Sequence, residues 1–349
     1  MRPTMRAMRL HGPGDVRLED IRRPRPGPGE VLIAVERVGL CGSDVEEYRD
    51  APVSVPVDEQ GRIIPIVLGH EVVGIVAECP GGELAEGTRV VPDVVVGCGE
   101  CWWCRRHEEG LCPKLLVRGQ QQDGGLADFM IASAATCVPV PDGVSADRAA
   151  FAEPIAVAIR ALRKVPETAG AVVVVYGVGT IGQLAVQLAV HGLAAEVVAV
   201  DPLSSRRALA EACGAIAATP EEAAEVVASV SGGRGADVVL ECAGVETAPD
   251  AAVRLSRRGG TTVLVGFKRG SLELPWMDVV LGERRLLGSA AHLWDEEVTA
   301  AVALLARDII DPTPLHTGTV PLADSAAALE RAATDRSVFK LLIAPERTT

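Results

Sequence analysis

Four cysteines stand close together in one polar loop of the sequence, at Cys98, Cys101, Cys104 and Cys112. Two residues separate each of the first three, and thiolates at this spacing can converge on one tetrahedral Zn²⁺ ion with Zn–S distances of about 2.3 Å. An iron–sulfur centre and four free thiols are the alternatives. Four sulfur ligands leave no open position on the ion, so the pattern predicts a structural zinc site. His107, inside the same loop, is then expected at the surface.

A second, more dispersed set of residues has the donor types of a catalytic metal site. Cys41 lies in a Cys-Gly-Ser-Asp motif, His70 and Glu71 follow Gly69, and Glu153 precedes a proline. A thiolate, an imidazole and one or two carboxylates leave a position on zinc for water or substrate. Each motif alone is a weak indication, because a histidine after glycine is usually a hydrogen-bonded structural residue. The hypothesis of a catalytic zinc therefore rests on the combination.

A glycine-rich turn follows an apolar run and opens a helical pattern; its residues are Gly177, Val178, Gly179, Thr180, Ile181 and Gly182. This context, followed by a second strand that ends at Asp201, predicts a dinucleotide site. The Asp201 carboxylate is expected to accept hydrogen bonds from the adenosine ribose, and it would repel a 2′-phosphate. The sequence therefore predicts NAD in preference to NADP. Arg206 complicates this prediction, because its side chain can either stack near the adenine or lie on the helix surface.

Composition limits the partners that the chain can have. Its 349 residues are enough for two domains, and 48% of them are hydrophobic. The net charge of −13 argues against nucleic acid or an anionic membrane as the main partner. Residues 1–10 are basic but no apolar stretch follows them, so we expect no signal peptide and a cytoplasmic location. In that compartment nine cysteines suit metal binding better than disulfides.

The part of the chain before about residue 150 is rich in Gly, Pro and Val. Alternating patterns predict strands at Glu30–Arg37, Val72–Glu78 and Thr88–Val91. This half is expected to form a β-rich barrel or sandwich.

Strands and helices alternate after residue 150. The pattern predicts helices at Ala149–Arg163, Gly182–His191 and Ser204–Cys213, and strands at Ala171–Tyr176, Glu196–Asp201, Asp237–Cys242 and Thr261–Gly266. Such alternation predicts a parallel sheet with right-handed crossovers. From about Gly288 the pattern is mixed, with helices predicted at Trp294–Arg307 and Ser325–Thr334 and a last strand at Val338–Ile343. This tail is expected to pack back on the first domain.

Taken together and in this order, the motifs resemble those of the zinc-containing medium-chain dehydrogenase/reductase family. Two further stretches fit the same order, at 124–128 (Gly-Gly-Leu-Ala-Asp) and at 241–244 (Glu-Cys-Ala-Gly), so the resemblance covers essentially the whole chain. The segment from Cys41 to Tyr48, followed by Asp50 and Pro52, is most similar to the butanediol and threonine dehydrogenase branch. Sorbitol dehydrogenases are close relatives that also carry the Glu-Pro pair found at Glu153.

The resemblance implies a two-domain α/β fold. A GroES-like, β-rich catalytic domain would comprise residues 1–155 and 290–349, with the zinc lobe at about 97–113. A Rossmann domain with a doubly wound parallel sheet would comprise residues 156–289 and bind NAD. The resemblance also implies an active cleft at the junction of the domains, two zinc ions per chain (one catalytic and one structural), and assembly as a homodimer or homotetramer.

The implied reaction is reversible oxidation of a secondary alcohol to a ketone. The metal would lower the pKa of the alcohol, which then passes hydride to the nicotinamide. Cys41 and His70 would ligate zinc, and Glu71 and Glu153 would alternate, one as a direct ligand and the other through water. Asp44 would accept from the other ring nitrogen of His70, or cap the helix that follows.

Proton transfer is where the sequence departs from the family. Ser43 would pass the substrate proton outward, although a helix cap is its alternative role. The family usually has a histidine five positions after the ligand cysteine, and Glu46 stands there instead. This carboxylate either relays the proton or is a solvated helix residue.

Further contacts are carried over from the resemblance. Cys242, Val265 and Gly266 would lie in the cofactor site. Lys340 would reach the cofactor pyrophosphate, with a surface lysine as the alternative. His292, Trp294 and Tyr48 would line the substrate pocket, or pack in the core.

Three functions remain open at this point. The first is NAD-dependent oxidation of a small diol or polyol, and the second is a biosynthetic dehydrogenase that acts on a cyclitol or amino alcohol. The third, from another class, is a catalytically silent, zinc-stabilised nucleotide-binding protein. The set Cys41, His70 and Glu153 favours the first two, because a silent protein has little physical reason to keep an open metal site. Small molecules are the expected partners, not nucleic acid or membrane.

Overall fold

The chain divides into two compact units in a computed structural model that describes residues 3–165, 168–267, 269, 271 and 273–346. One unit comprises Met1–Glu153 and His292–Thr349, and the other comprises Pro154–Ala291. Within the described residues, none of the helices has the length and apolar character needed to span a bilayer.

The strands follow in chain order as β1 (Thr4–Gly12), β2 (Asp15–Arg22), β3 (Glu30–Gly39), β4 (Ile66–Val67), β5 (Glu71–Glu78), β6 (Arg89–Pro92), β7 (Val95–Val96), β8 (Leu116–Val117), β9 (Phe129–Ser133), β10 (Cys137–Pro139), β11 (Val172–Tyr176), β12 (Glu196–Val200), β13 (Ile216–Ala218), β14 (Ala236–Glu241), β15 (Ser256–Leu264), β16 (Arg285–Gly288), β17 (His316–Pro321) and β18 (Lys340–Ala344).

The α-helices are α1 (Gly42–Asp50), α2 (Ala146–Ala149), α3 (Ala152–Arg163), α4 (Thr180–His191), α5 (Ser204–Ala212), α6 (Ala223–Val230), α7 (Ala248–Leu255), α8 (Trp276–Leu281), α9 (Thr299–Ala306) and α10 (Ser325–Thr334). Short 3₁₀ helices occur at Cys104–Arg106, Glu109–Leu111, Ala134–Thr136, Thr313–Leu315 and Leu322–Asp324, and a π-helix at Trp294–Val298.

The first unit is built on a mainly antiparallel sheet with the order β10-β6-β5-β3-β18-β17, and β9 pairs with β3 as well. Strand β3 is buried along most of its length and contacts β5, β9 and β18. The pairing of Leu342 with Gly39 brings the C-terminal strand beside β3. Smaller sheets, β2-β1-β4 and β7-β8, complete this unit.

The second unit contains a six-stranded sheet with the order β13-β12-β11-β14-β15-β16, in which all pairs are parallel. Strand β11 contributes four consecutive buried valines, Val172–Val175, as expected for a strand covered on both faces. Because β11 lies between β12 and β14, the chain runs outward from it in both directions, and dinucleotides bind at such a switch point. The predicted doubly wound parallel sheet is confirmed.

Two predicted helices differ from the structure. The expected helix Ala149–Arg163 is divided into α2 and α3, with Phe151 buried at the junction. The expected helix Trp294–Arg307 begins as a π-helix before α9. The Val298 N–H donates to the Leu293 carbonyl five residues earlier at 3.2 Å, and the Glu297 carboxylate accepts from the Leu293 N–H at 2.7 Å. Strand β15 also begins five residues before the predicted Thr261, at Ser256.

Phe151 offers a test of the packing at the start of α3. It is 1% exposed and is the largest of the fully buried side chains. We expect Phe151→Ala to lower the free energy of unfolding by about 3–5 kcal/mol, because removal of the ring leaves a cavity and its packing contacts are lost. Urea denaturation followed by circular dichroism measures the loss, with Phe151→Leu as the milder control. An unchanged midpoint for Phe151→Ala would contradict the assigned burial.

Candidate metal centres and nucleotide site

Three residues of the dispersed set meet in the first unit. Cys41 precedes α1, and His70 and Glu71 stand at the start of β5. One ligand atom from each lies within 4.8 Å of the others. His70 is 5% exposed and Glu71 is 1% exposed. A sulfur, a nitrogen and an oxygen donor thus converge in a buried position, and this is the donor set of an open zinc site.

Asp44 joins the two segments that carry these residues. Its carboxylate accepts hydrogen bonds from the Cys41 N–H at 2.9 Å and from the Gly69 N–H at 3.2 Å. The Nδ1 atom of His70 lies 3.5 Å from Asp44 Oδ1. The buried Asp44 carboxylate therefore fixes the backbone at Cys41 and at Gly69 and faces Nδ1 of His70. The other ring nitrogen, Nε2, is left directed toward Cys41 and Ser43.

Glu71 has its own buried counter-ion. The Lys340 ammonium donates to Glu71 Oε1 at 2.5 Å and to the Leu40 carbonyl at 2.9 Å. Lys340 is only 4% exposed, so the alternative of a surface lysine is wrong. Burial disfavours the charged ammonium, but Glu71 and Cys41 outweigh it and raise the pKa of Lys340. The contact of Lys340 with a cofactor pyrophosphate stays a prediction.

The other oxygen of Glu71 fits a metal ion. Glu71 Oε2 is buried and has no hydrogen-bond partner among the described residues. A buried acceptor without a partner is costly, at about 1–3 kcal/mol. It points at Gly39, where an added Cβ would lie 2.0 Å from Oε2. This oxygen belongs to a carboxylate that converges with the Cys41 thiol and the His70 ring, which is consistent with Glu71 as a zinc ligand.

Glu153, the fourth member of the predicted set, lies outside the group of converging ligand atoms. It is in the first turn of α3, with its Oε1 3.3 Å from Nε2 of His292. Burial raises the pKa of this carboxyl, but the nearby His292 outweighs burial and the net shift is downward. Of the two glutamates, the geometry favours Glu71 as the direct ligand.

Ser43 is the predicted first proton carrier, and Glu46 is either the next relay or a solvated helix residue. The Ser43 Oγ lies 3.4 Å from His70 Nε2, and Gln120 Nε2 donates to the same Oγ at 3.3 Å. Glu46 is half-buried, and its side chain has no hydrogen bond or ion pair within the described ranges. No sequence pattern pointed to Gln120, because it lies 77 positions from Ser43.

The four-cysteine loop has the geometry of a closed metal site. One sulfur from each residue lies within 4.8 Å of the others. The Sγ of Cys101 lies 3.5 Å from that of Cys104 and 3.8 Å from that of Cys112, near the about 3.8 Å edge of a tetrahedron with 2.3 Å bonds. Backbone N–H groups of Glu100 and Cys101 lower the pKa of Cys98 to about 7, which favours the thiolate that zinc binds.

His107 lies at the edge of this loop, with its side chain 40% exposed. Its Nε2 lies 2.8 Å from Asp295 Oδ1, and its Nδ1 lies 3.3 Å from Glu109 Oε2. Burial disfavours the imidazolium, but Asp295 and Glu109 outweigh it and raise the pKa of His107. The residue lies at the surface, as expected, and connects the loop to the π-helix.

The glycine turn of the second unit lies at the carboxyl end of β11. An added Cβ at Gly177, whose φ is +90°, would lie 2.6 Å from Ala243, and one at Gly182 would lie 2.0 Å from the Gly177 carbonyl oxygen. These two glycines are required by close packing. At Gly179 the nearest atom is Arg206 Nη1 at 3.7 Å, so the backbone there is open to a ligand, as in a dinucleotide turn.

Asp201 follows β12 and is buried next to this turn. Its Oδ2 accepts from the Val178 N–H at 3.1 Å and its Oδ1 from the Leu203 N–H at 2.9 Å. Arg206 Nη1 lies 3.8 Å from Oδ2. The carboxylate therefore has a fixed position beside the N-terminus of α4, and a cation stands close to it.

The predicted cofactor residues Cys242, Val265 and Gly266 lie at the carboxyl ends of β14 and β15. The Cys242 N–H donates to the Tyr176 carbonyl at 2.8 Å, and the N–H groups of Val265 and Gly266 donate to the Glu241 carbonyl at 2.9 Å each. All three stand at the same edge of the sheet as the glycine turn, as the parallel register requires.

Three residues proposed for the substrate pocket have separate positions. His292 is 1% exposed and contacts Glu153 and Asp93. The Tyr48 hydroxyl donates to Glu330 at 3.3 Å. Trp294 begins the π-helix and is half-buried. His292 therefore contacts Glu153 and not the three converging ligands, whereas the contact of Tyr48 is with an exposed carboxylate.

Two family models match the chain. The model described as alcohol dehydrogenase GroES-like domain matches residues 27–142, and the model described as zinc-binding dehydrogenase matches residues 180–307. They fall in the β-rich region and in the region of the parallel sheet, respectively.

Individual proteins match over nearly the whole length. The chain is 32% identical to a sorbitol dehydrogenase of Macaca fascicularis, with 94% of this chain and 93% of the relative covered. It is 30% identical to an erythritol/L-threitol dehydrogenase of Mycolicibacterium smegmatis, with 98% of each covered. A zinc-binding dehydrogenase from Sinorhizobium meliloti, solved with NADP bound, has a TM-score of 0.88 at 30% identity, with 99% and 100% covered.

The close contact at Gly39 generates a prediction for the metal site. Because a Cβ at this position would lie 2.0 Å from Glu71 Oε2, we expect Gly39→Ala to displace the carboxylate and weaken metal binding by about tenfold or more. Zinc retained after dialysis measures the effect, and the metal of the cysteine loop should be unaffected. Gly12→Ala, where nothing lies within 4 Å of the added atom, is the control. Full retention in Gly39→Ala would exclude Glu71 as a ligand.

Proposed function

The chain belongs to the zinc-containing medium-chain dehydrogenase/reductase family of alcohol dehydrogenases, and we propose that it interconverts a secondary alcohol and its ketone with NAD(H), with a small diol or polyol as substrate. The observation that carries this proposal is the convergence of Cys41, His70 and Glu71 in one buried position. The similarity to sorbitol and erythritol/threitol dehydrogenases supports a polyol.

Cys41, His70 and Glu71 would hold the catalytic zinc, and Cys98, Cys101, Cys104 and Cys112 the structural one. When bound, the catalytic ion supplies Lewis acidity that lowers the pKa of an alcohol, and the nicotinamide supplies the hydride acceptor. Three protein donors leave a fourth position available, whereas four sulfurs leave none. Only the first centre is therefore suited to chemistry.

Residues around this centre orient its ligands, balance its charge and would accept the proton of the substrate. Asp44 faces Nδ1 of His70 at 3.5 Å, so the ring keeps Nε2 free to act as a donor to metal. Lys340 balances the charge of Glu71. The Ser43 hydroxyl, beside His70, is the group placed to receive a proton from substrate, with Glu46 as the next carboxylate along α1.

In the second unit, Gly179 would allow close approach of the pyrophosphate, which would lie at the backbone N–H groups of the first turn of α4. Asp201 would bind the ribose hydroxyls and disfavour a 2′-phosphate. Arg206, 3.8 Å from that carboxylate, favours NADP instead, since a cation can accommodate its 2′-phosphate. Asp201 is the more buried of the two, and on this ground we assign NAD.

None of the nine cysteines, all of which lie within the described residues, forms a disulfide, which suits a reducing compartment. The cytoplasmic location and the homodimeric or homotetrameric assembly stay predictions.

Metal removal tests the proposed reaction. The purified protein should contain about two zinc ions per chain, and Cys41→Ala about one. We expect the native protein to reduce NAD with a member of a panel of diols, polyols, amino alcohols and cyclitols, measured by NADH absorbance, and Cys41→Ala to lose this activity. Two ions retained in Cys41→Ala would refute the catalytic centre. A native protein that holds two ions but oxidises nothing would favour the silent nucleotide-binding protein.

The coenzyme assignment has its own test in Asp201→Asn. The amide keeps an acceptor for a backbone N–H but loses the charge that repels a 2′-phosphate. We expect the ratio of kcat/KM for NADP to that for NAD to rise about tenfold, which corresponds to about 1.4 kcal/mol. Glu196→Gln removes an equal charge at the opposite end of β12 and should leave the ratio unchanged. The same ratio in both variants would exclude Asp201 from coenzyme selection.

A further inference from the structure

His292 lies between two carboxylates in the interior of the first unit. Its Nε2 is 3.3 Å from Glu153 Oε1, and its Nδ1 is 3.7 Å from Asp93 Oδ1. Asp93 is 6% exposed, and its Oδ1 also accepts the Val95 N–H at 3.0 Å. Asp93, His292 and Glu153 therefore form a row that starts at the backbone of β7 and ends at Glu153. Burial and the charge of Glu153 raise the pKa of Glu71, so this end of the row lies near the candidate metal centre.

The backbone after His292 is fixed independently of any substrate. Glu297, 2% exposed, accepts the Leu293 N–H at 2.7 Å through Oε2. The same segment continues into the π-helix, where the Thr299 hydroxyl donates to the Trp294 carbonyl at 3.0 Å. With its backbone held and its ring 1% exposed, His292 has little room to change orientation.

Each glutamate at the metal centre has a different basic partner. Lys340 contacts Glu71, and His292 contacts Glu153. The two carboxylates nevertheless differ in position. Glu71 converges with Cys41 and His70 and keeps one oxygen without a partner, whereas Glu153 is outside the converging group. A carboxylate that contacts a fixed imidazole is less free to turn toward a metal.

We propose that His292, backed by Asp93, is a positioning residue that holds the Glu153 carboxylate off the metal and so keeps one coordination position open for substrate. This rests on the proposed function, since it requires zinc at Cys41, His70 and Glu71. The physical reason is the ligand count. Three protein donors leave zinc open, and a second carboxylate that reached the ion would complete a tetrahedron and close the site.

Cobalt substitution tests this directly, because the visible absorption of Co²⁺ reports its ligands. Co²⁺ is introduced alone, and the spectrum of Cys41→Ala, which keeps only the four-cysteine site, is subtracted. In the native protein, added imidazole should enter the open position and change the spectrum. In His292→Leu we expect Glu153 to occupy that position, so that the spectrum no longer responds to imidazole, Co²⁺ binds about tenfold more tightly, and kcat/KM falls by at least that factor.

Matched variants separate positioning from damage to the fold. His292→Gln keeps an N–H donor near the place of Nε2 and should restore the response to imidazole. In His292→Leu/Glu153→Gln the competing carboxylate is absent, so the response should return although the ring is still missing. Asp93→Asn should reduce the response to imidazole in the same direction as His292→Leu but to a smaller extent. It replaces His292→Leu as the test if that variant does not fold. His316→Leu, at a surface histidine that contacts Thr319 at 2.8 Å, is the control.

The results that would refute the role of His292 differ from those that would refute the proposed function. Weaker Co²⁺ binding in His292→Leu, or an undiminished response to imidazole there and in Asp93→Asn, overturns the proposal, and so does a double variant that stays unresponsive. A native protein with metal only at the four cysteines refutes the proposed function itself, before any variant is compared. Native protein with two metals and unchanged His292 variants refutes only the role of His292.

Discussion

A buried ion pair between Glu71 and Lys340 joins strand β5 to the C-terminal strand β18 at the candidate metal centre. Glu71 opens β5 and Lys340 opens β18, 269 positions later. Both strands pair with β3, and the same ammonium binds the Leu40 carbonyl just beyond it. A carboxylate at this depth needs a compensating charge. The C-terminal strand therefore supplies the charge that allows the N-terminal sheet to carry a buried ligand.

The same requirement explains the arrangement around the other ligands. Asp44 binds two backbone N–H groups and faces His70, and His292 stands between Asp93 and Glu153. Every acidic group beside the centre thus has a hydrogen-bond donor or a base next to it. Breaking one such pair leaves its partner uncompensated, so a single substitution here is expected to lower the stability of the fold as well as to alter metal binding.

Local motifs were predictable from the sequence, and long-range partners were not. The four-cysteine loop and the glycine turn are set by spacing within a few residues, and the parallel sheet by the alternation of its strands. The preference for Glu71 over Glu153 depends instead on which carboxylate converges with Cys41 and His70. The basic partners of the two glutamates, Lys340 and His292, come from distant parts of the chain. Gln120 reaches Ser43 only because the turn after β8 lies against Gly69. No periodicity in a sequence encodes such contacts.

The proton route follows from what already surrounds Ser43. Gln120 donates to its Oγ, and His70 Nε2, 3.4 Å away, is the nitrogen left for metal. The hydroxyl hydrogen of Ser43 is therefore the one element of this small network that is free to be donated onward. Glu46 has no hydrogen bond to it within the described part of the chain, so a carboxylate relay would have to pass through water. In the proposed mechanism, the departure from the usual histidine would lengthen the exit path of the proton, and the first step would stay on Ser43.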